Sequence, residues 1–202
     1  MEDIQYHFNQ LLTNSIQNDI SLHDPIKNRI NIYILQKKCY HVIWNLLHSF
    51  SVLFPENPTD LQKENTKLLL RNIKTHIPFC AICSSQYYDN FIETSDLESV
   101  VNNKSELIKL LIEYHKFVNI NFAKNKNYDE TIYTIDFIYN KYSNGLYEKY
   151  LREKYNISLL DIINCSNNFN NYLKEQISNM RIQIIQEINK LEYEVELKFN
   201  IK

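Results

Sequence analysis

From Ile32 to Phe54 the apolar residues Ile34, Leu35, Val42, Ile43, Leu46, Leu47, Phe50 and Leu53 fall at helical spacing, and Pro55 ends the pattern. This predicts one long helix, with a break allowed near Lys37 and Lys38. The preceding residues 1–30 are polar, and Ile4, Phe8, Leu11 and Leu12 share one side of a short helix. Pro58-Thr59-Asp60 signals a second start with Thr59 as cap, and Leu61, Leu68, Leu69 and Ile73 carry an apolar stripe to the break at Pro78. A third helix is expected from Cys80 through Tyr87, Tyr88 and Phe91, followed by a turn-rich crossing from Asn90 to Asn103. Ser105-Glu106 opens a fourth, with Leu107, Leu110, Leu111, Tyr114, Val118 and Phe122 on its apolar side. Four helices packed this closely in sequence predict a compact bundle.

Beyond Tyr128 the pattern loosens around Gly145 and again from Asn164 to Asn171. It returns where Leu173, Ile177, Met180, Ile184, Ile188, Leu191 and Val195 alternate spacings of three and four. This stripe reads as a core-facing helix, with a coiled coil or partner-binding helix as the alternative. The fold class is all-α, a four- or five-helix bundle with a helical C-terminal extension. The expected divisions are an N-terminal helical segment (1–35), a central domain (36–130) and the extension (131–202).

At 202 residues the chain can bury a sizeable core without small-domain staples. Its 44% apolar and 23% charged fractions are those of a globular protein, and a net charge of −2 provides no electrostatic footprint for nucleic acid. No run of about 18 apolar residues exists, so no membrane span is expected. Met1-Glu2-Asp3-Ile4 lacks the basic-then-apolar design of a signal peptide, which predicts that the protein stays where it is made. Gly145 is the only glycine. Neither a G-x-G-x-x-G fingerprint nor a G-x-x-x-x-G-K-S/T loop can be written with one glycine, so any nucleotide cofactor must be held by other means. The excess of Asn, Ile, Lys and Tyr resembles the coding bias of an AT-rich genome.

The chemistry-bearing motif is Cys80-Ala81-Ile82-Cys83. Two thiols at this spacing can close a small disulfide ring or share a metal. The other cysteines, Cys39 and Cys165, stand alone, so a second C-x-x-C that would complete a four-thiolate zinc site is absent. That favours redox over half of a zinc site completed by histidines such as His76 and His48. If Cys80 opens a helix, backbone N–H groups and the helix dipole favour the thiolate form of both sulfurs. Trp44 and His48 are four apart, hence on one helix face, and can line one wall of a pocket. Cys39 and Cys165 read as inert thiols, with electron relay or subunit linkage as the sharper alternative.

In order along the chain, these motifs resemble the Erv/ALR family of FAD-linked sulfhydryl oxidases. Trp44-Asn45-Leu46-Leu47-His48 matches W-x-L-L-H, and Phe54-Pro55-Glu56-Asn57-Pro58-Thr59 matches aromatic-P-x-x-P-T, with Gln62 where a glutamine is usual. After the C-x-x-C, Asn103-Lys104-Ser105-Glu106-Leu107 resembles N-R-x-D/E-L. His115-Lys116-Phe117-Val118-Asn119 keeps the H, V and N of H-N-x-V-N. The departures are Tyr40 and His41 in place of glycine and arginine, Lys116 in place of asparagine, and Phe79 between Pro78 and the first cysteine. Ile112 and Glu130 stand where many members carry a pair of structural cysteines.

The resemblance implies a helical bundle that holds FAD without a Rossmann fold, in agreement with the glycine shortage. By position it implies cofactor contacts at Trp44, His48, His115, Val118 and Asn119, with Lys124 near the phosphates, His41 as a further contact, and no metal. Cys83 would face the flavin and Cys80 the incoming thiol of a substrate protein or small redox carrier, with O2 as final acceptor and H2O2 as product. A homodimer is implied, and no shuttle cysteine pair is visible. The alternative function is a non-catalytic scaffold that retains the bundle and binds a partner. The expected compartment is cytoplasmic, as host cytoplasm or virion for an enzyme of a large DNA virus, with the mitochondrial intermembrane space as the alternative.

Overall fold

The computed structural model describes residues 41–76, 92–122 and 133–199, and among them every regular element is a helix. They are α1 (41–53), α2 (Asp60–His76), α3 (Leu97–Asn102), α4 (Lys104–Phe122), α5 (Ile135–Tyr142), α6 (Leu146–Tyr155), α7 (Leu159–Asn164) and α8 (Phe169–Phe199). The all-α class read from periodicity is the class observed. The helix expected over 80–91 and the N-terminal segment lie outside the described residues.

Local chemistry accounts for the helix starts. Thr59 N–H donates to Gln62 Oε1 at 2.8 Å, and Gln62 N–H donates back to Thr59 Oγ1 at 3.3 Å, a reciprocal cap on α2. Asn103 Oδ1 accepts from the N–H groups of Ser105 and Glu106 and opens α4. Thr134 and Ser158 cap α5 and α7 in the same way. The single glycine, Gly145, sits at φ 72° before α6, and Asn156 and Asn168 take two further left-handed positions at φ 54° and 44°. Asparagine is the residue after glycine that best tolerates this region, so the Asn-rich composition supplies turns that glycine would otherwise make.

The stretch read as a turn-rich crossing, Asn90 to Asn103, contains helix α3. Asp96 accepts from Ser99 N–H at 3.3 Å, and Leu97 and Val101, one turn apart, are both buried. Six residues hold one apolar i,i+4 pair, too little to register as periodicity. The loosened region after Tyr128 likewise holds α5, α6 and α7, none longer than ten residues.

One core runs through the bundle and the extension. Leu46, Phe50 and Phe54 pack in the same cluster as Leu69 and Leu70 of α2, Leu107 and Leu111 of α4, and Leu151, Ile162, Leu173, Met180 and Ile184. Helix α8 packs on α2, α6 and α7, so its stripe faces the core over the described part. Polar groups latch the two halves together. Asn65 Nδ2, almost fully buried, donates to the carbonyls of Ile163 at 3.0 Å and Cys165 at 2.9 Å. Gln62 Nε2 donates to Asn164 Oδ1, and Asn72 Nδ2 donates to Asn170 Oδ1.

A second apolar cluster joins Val52 of α1, Ile108 and Ile112 of α4, and Ile138 and Tyr142 of α5. Within it Ile112 is buried to 3% exposure. Among the described residues no helix is long and apolar enough to cross a membrane.

Leu173→Ala should lower stability by about 2–5 kcal/mol, since it removes a fully buried side chain from the shared core. The only tryptophan, Trp44, lies in that same cluster. Its fluorescence should therefore report a lower denaturant midpoint in a single transition; an unchanged Trp44 midpoint would mean that the extension folds apart from the bundle.

Candidate functional site

Helices α1 and α4 meet through aromatic and imidazole rings. Trp44 and His48, one turn apart on α1, both face α4 because the intervening Leu46 and Leu47 are fully buried in the core. The Trp44 and His115 rings stack with centroids 3.8 Å apart and 5° between planes, leaving no space for a further ring between them. His48 lies 5.1 Å from His115, ring to ring, and its Nε2 is 2.9 Å from His115 Nδ1. One imidazole donates this hydrogen bond and the other accepts it, so the pair can be satisfied with both rings neutral.

The surroundings favour that neutral state. His48 is fully buried, and its pKa is held well below the ordinary histidine value by desolvation, then by the repulsion that protonation would meet from a protonated His115 and from Lys141. Burial, with Lys141 and His41 adding repulsion, pushes His115 down to about 3. His48 Nδ1 is buried and has no hydrogen-bond partner among the described residues.

Further rings frame the pair. Tyr114 lies 4.9 Å from Trp44, and Tyr133 meets His115 in a T-shaped arrangement at 4.9 Å. Tyr142 packs 5.5 Å from His48 and donates its hydroxyl hydrogen to Asn45 Oδ1 at 2.9 Å. That bond ties α5 to α1, and burial raises the phenol pKa above its ordinary value, keeping the proton on Tyr142. Lys141 Nζ stands 5.2 Å from the centre of the Tyr142 ring.

Three of the sequence-predicted contacts, Trp44, His48 and His115, are thus in mutual contact. Val118, one turn beyond His115, is buried in the core, and Asn119 beside it is half-buried. His41 is exposed at the start of the described part of α1, near enough for its charge to act on His115. Cys80, Cys83, Lys124 and Cys39 lie outside the described residues. Cys165 is a free, half-buried thiol whose Sγ donates to Asn167 O at 3.2 Å, packed against the core beside α7. Among the described residues no group of three His, Cys, Asp or Glu side chains is arranged to hold a metal ion. Sequence reasoning placed Tyr114 only on the apolar side of a helix and left Asn45, Tyr133, Lys141 and Tyr142 unassigned. Asn45 sits inside the W-x-L-L-H match; the other three carry no spacing signal of their own.

The model of the Erv1 / Alr family matches residues 41–142, from the start of α1 to the tyrosine that closes the ring cluster. The chain belongs to the Erv1/Alr family. It is similar to the mitochondrial FAD-linked sulfhydryl oxidase ERV1 of Saccharomyces cerevisiae, with 35% identity over 83 residues. That match covers 41% of this chain and 42% of the yeast protein, so the chain spans less than half of that relative's length. No solved structure matches it. The family match ends at Tyr142 and so takes in α5, whereas the sequence pattern placed a boundary near residue 130.

The histidine pair makes stability pH-dependent with a definite sign. Folded His115 takes up a proton only near pH 3, whereas an unperturbed histidine does so near 6.5. Between these values the unfolded chain binds more protons, so stability is full above about pH 6.5 and falls as the pH drops. Ligand-free protein should therefore melt at progressively lower temperature from neutral pH towards pH 4. In His115→Gln the decline should be shallower; an equal decline would assign it to carboxylates instead.

Proposed function

We propose that this chain is an FAD-dependent thiol oxidase that forms disulfides in substrate proteins through a Cys80–Cys83 redox pair. The observation that carries the reading is the buried, neutral Trp44–His48–His115 cluster, which joins α1 to α4 at positions where the family resemblance implies cofactor contacts. The donor set fits a flavin dinucleotide. It offers flat ring surfaces, uncharged imidazoles able to donate or accept, and in His48 Nδ1 a buried polar atom without a partner among the described residues. Trp44, His48, His115, Val118 and Asn119 would hold the group, with Lys124 and His41 as further contacts. When bound, FAD would accept two electrons from the dithiol and return them to O2, giving H2O2.

The protein's own part is thiol–disulfide exchange. A substrate thiolate attacks Cys80 Sγ of the Cys80–Cys83 disulfide, forming a mixed disulfide and releasing Cys83 as thiolate. A second substrate thiol attacks the substrate sulfur of that mixed disulfide, so the substrate leaves oxidised and Cys80 leaves as thiolate. The substrate has lost two electrons and two protons, and the enzyme must pass both electrons on from Cys83. The neutral pair on α1 and α4 adds no charge of its own at working pH, and its burial keeps bulk water from the inner ring faces.

The proposal includes a homodimer acting directly on a protein thiol or a small redox carrier. The yeast relative is by its name mitochondrial. Host cytoplasm and the mitochondrial intermembrane space are the compartments proposed for this chain, and tagging in cells separates them.

Purified protein should be yellow with flavin absorbance and should consume O2 when given a dithiol. Cys80→Ser and Cys83→Ser should each abolish turnover, whereas Cys165→Ser should leave it unchanged. Colourless protein that FAD does not reconstitute would refute the reading and favour the scaffold alternative. Turnover in either of the first two variants would refute the roles given to the pair.

A further inference from the structure

Lys141, on the last turn of α5, is set apart from the other lysines around the site. Its Nζ lies among three rings, 5.2 Å from the centre of Tyr142, 5.7 Å from Phe137 and 5.8 Å from Tyr147. Other lysines near the bundle have carboxylates: Lys67 pairs with Glu64 and Glu98, Lys104 with Glu56, and Lys116 with Glu113. Lys141 has no ion pair or hydrogen bond among the described residues. It is half-buried, and desolvation lowers its pKa. The α5 C-terminus offers partial compensation through its dipole, and the ring faces offer more, yet neither is a counter-ion.

Its position relates it to the ring cluster. Tyr142 separates Lys141 from His48, packing on the imidazole at 5.5 Å while holding Asn45. The cation's field reaches both imidazoles of the pair. Among the described residues the cluster thus combines planar, uncharged surfaces with one partly desolvated positive charge at its edge and no negative charge paired with it. A ligand complementary to it carries an aromatic ring and an anionic group.

We propose that Lys141 is a phosphate anchor of this site, pairing with a phosphate of the bound dinucleotide and so selecting phosphate-bearing ligands over the bare nucleoside. Its role is electrostatic attachment of the ligand. It is additional to Lys124, and it lies beyond the boundary near residue 130 that the sequence pattern drew. The inference rests on the FAD reading above.

The test uses flavin-free full-length protein and measures FAD affinity by fluorescence quenching at low and high salt, for wild type, Lys141→Gln and Lys141→Arg. Adenosine, which lacks phosphate, is added separately and read by thermal shift. Loss of one charge-assisted contact should weaken FAD binding about tenfold in Lys141→Gln and flatten its salt dependence, with most affinity restored in Lys141→Arg. The shift produced by adenosine should be the same in wild type and Lys141→Gln. FAD affinity in Lys141→Gln within a factor of about two of wild type overturns the assignment while leaving the oxidase reading intact. A comparable loss for adenosine also overturns it, since the ring surface rather than a phosphate contact would then have been disturbed. Failure of wild-type protein to bind FAD overturns both readings.

Discussion

The burial of two imidazoles as a neutral, hydrogen-bonded pair is the constraint on which the arrangement of this bundle depends. A charged imidazolium in the place of His48 would lose its hydration with no carboxylate among the described residues acting on it, and an imidazole with both nitrogens unpaired would leave two buried polar atoms. The 2.9 Å bond from His48 Nε2 to His115 Nδ1 meets half of that demand, and it does so only when α1 and α4 hold one register. The stack of Trp44 on His115 fixes the same register from the other side. A slide of α4 by one residue would turn His115 away by about 100° and break both contacts at once. The other nitrogen of that ring, His48 Nδ1, is buried and has no partner among the described residues, so the register alone does not satisfy it.

Docking of α5 is the second requirement. Ile112 packs with Val52, Ile138 and Tyr142 across α1, α4 and α5. Full burial of such a side chain stabilises by about 1.5–3 kcal/mol, so this one position contributes substantially to the joint of the three helices. The hydrogen bond from Tyr142 to Asn45 then sets the angle at which α5 meets the histidine pair.

The long elements were legible in the sequence because each carries several turns of apolar stripe with a defined stop. Helix α2, for example, runs from the Thr59 cap to His76, two residues short of Pro78. The short helices α3, α5, α6 and α7 were not legible. Each is fixed by a cap plus two or three buried residues, and that signal is no stronger than the noise of an Asn- and Tyr-rich background. The candidate site divides along the same line. Trp44, His48 and His115 were readable because their order and spacing resemble a family pattern. Tyr142 and Lys141 join them only through tertiary packing of a short helix, which no local spacing encodes.

The shortage of glycine connects these observations. A site that binds phosphate or a flat ring through backbone N–H groups needs glycine, because only a residue without Cβ lets the main chain approach so closely. Here the one glycine makes a left-handed turn before α6, and asparagines make two others among the described residues. Recognition must then come from side chains borne on helices, whose positions follow from how the helices pack. The geometry of such a site is set by its core: Leu46 and Leu47 aim Trp44 and His48, Leu111 aims His115, and Ile138 seats the helix that carries Tyr142 and Lys141. Core substitutions in α1, α4 or α5 therefore act on the ring cluster even where they touch none of its rings, because they shift the helices that carry them.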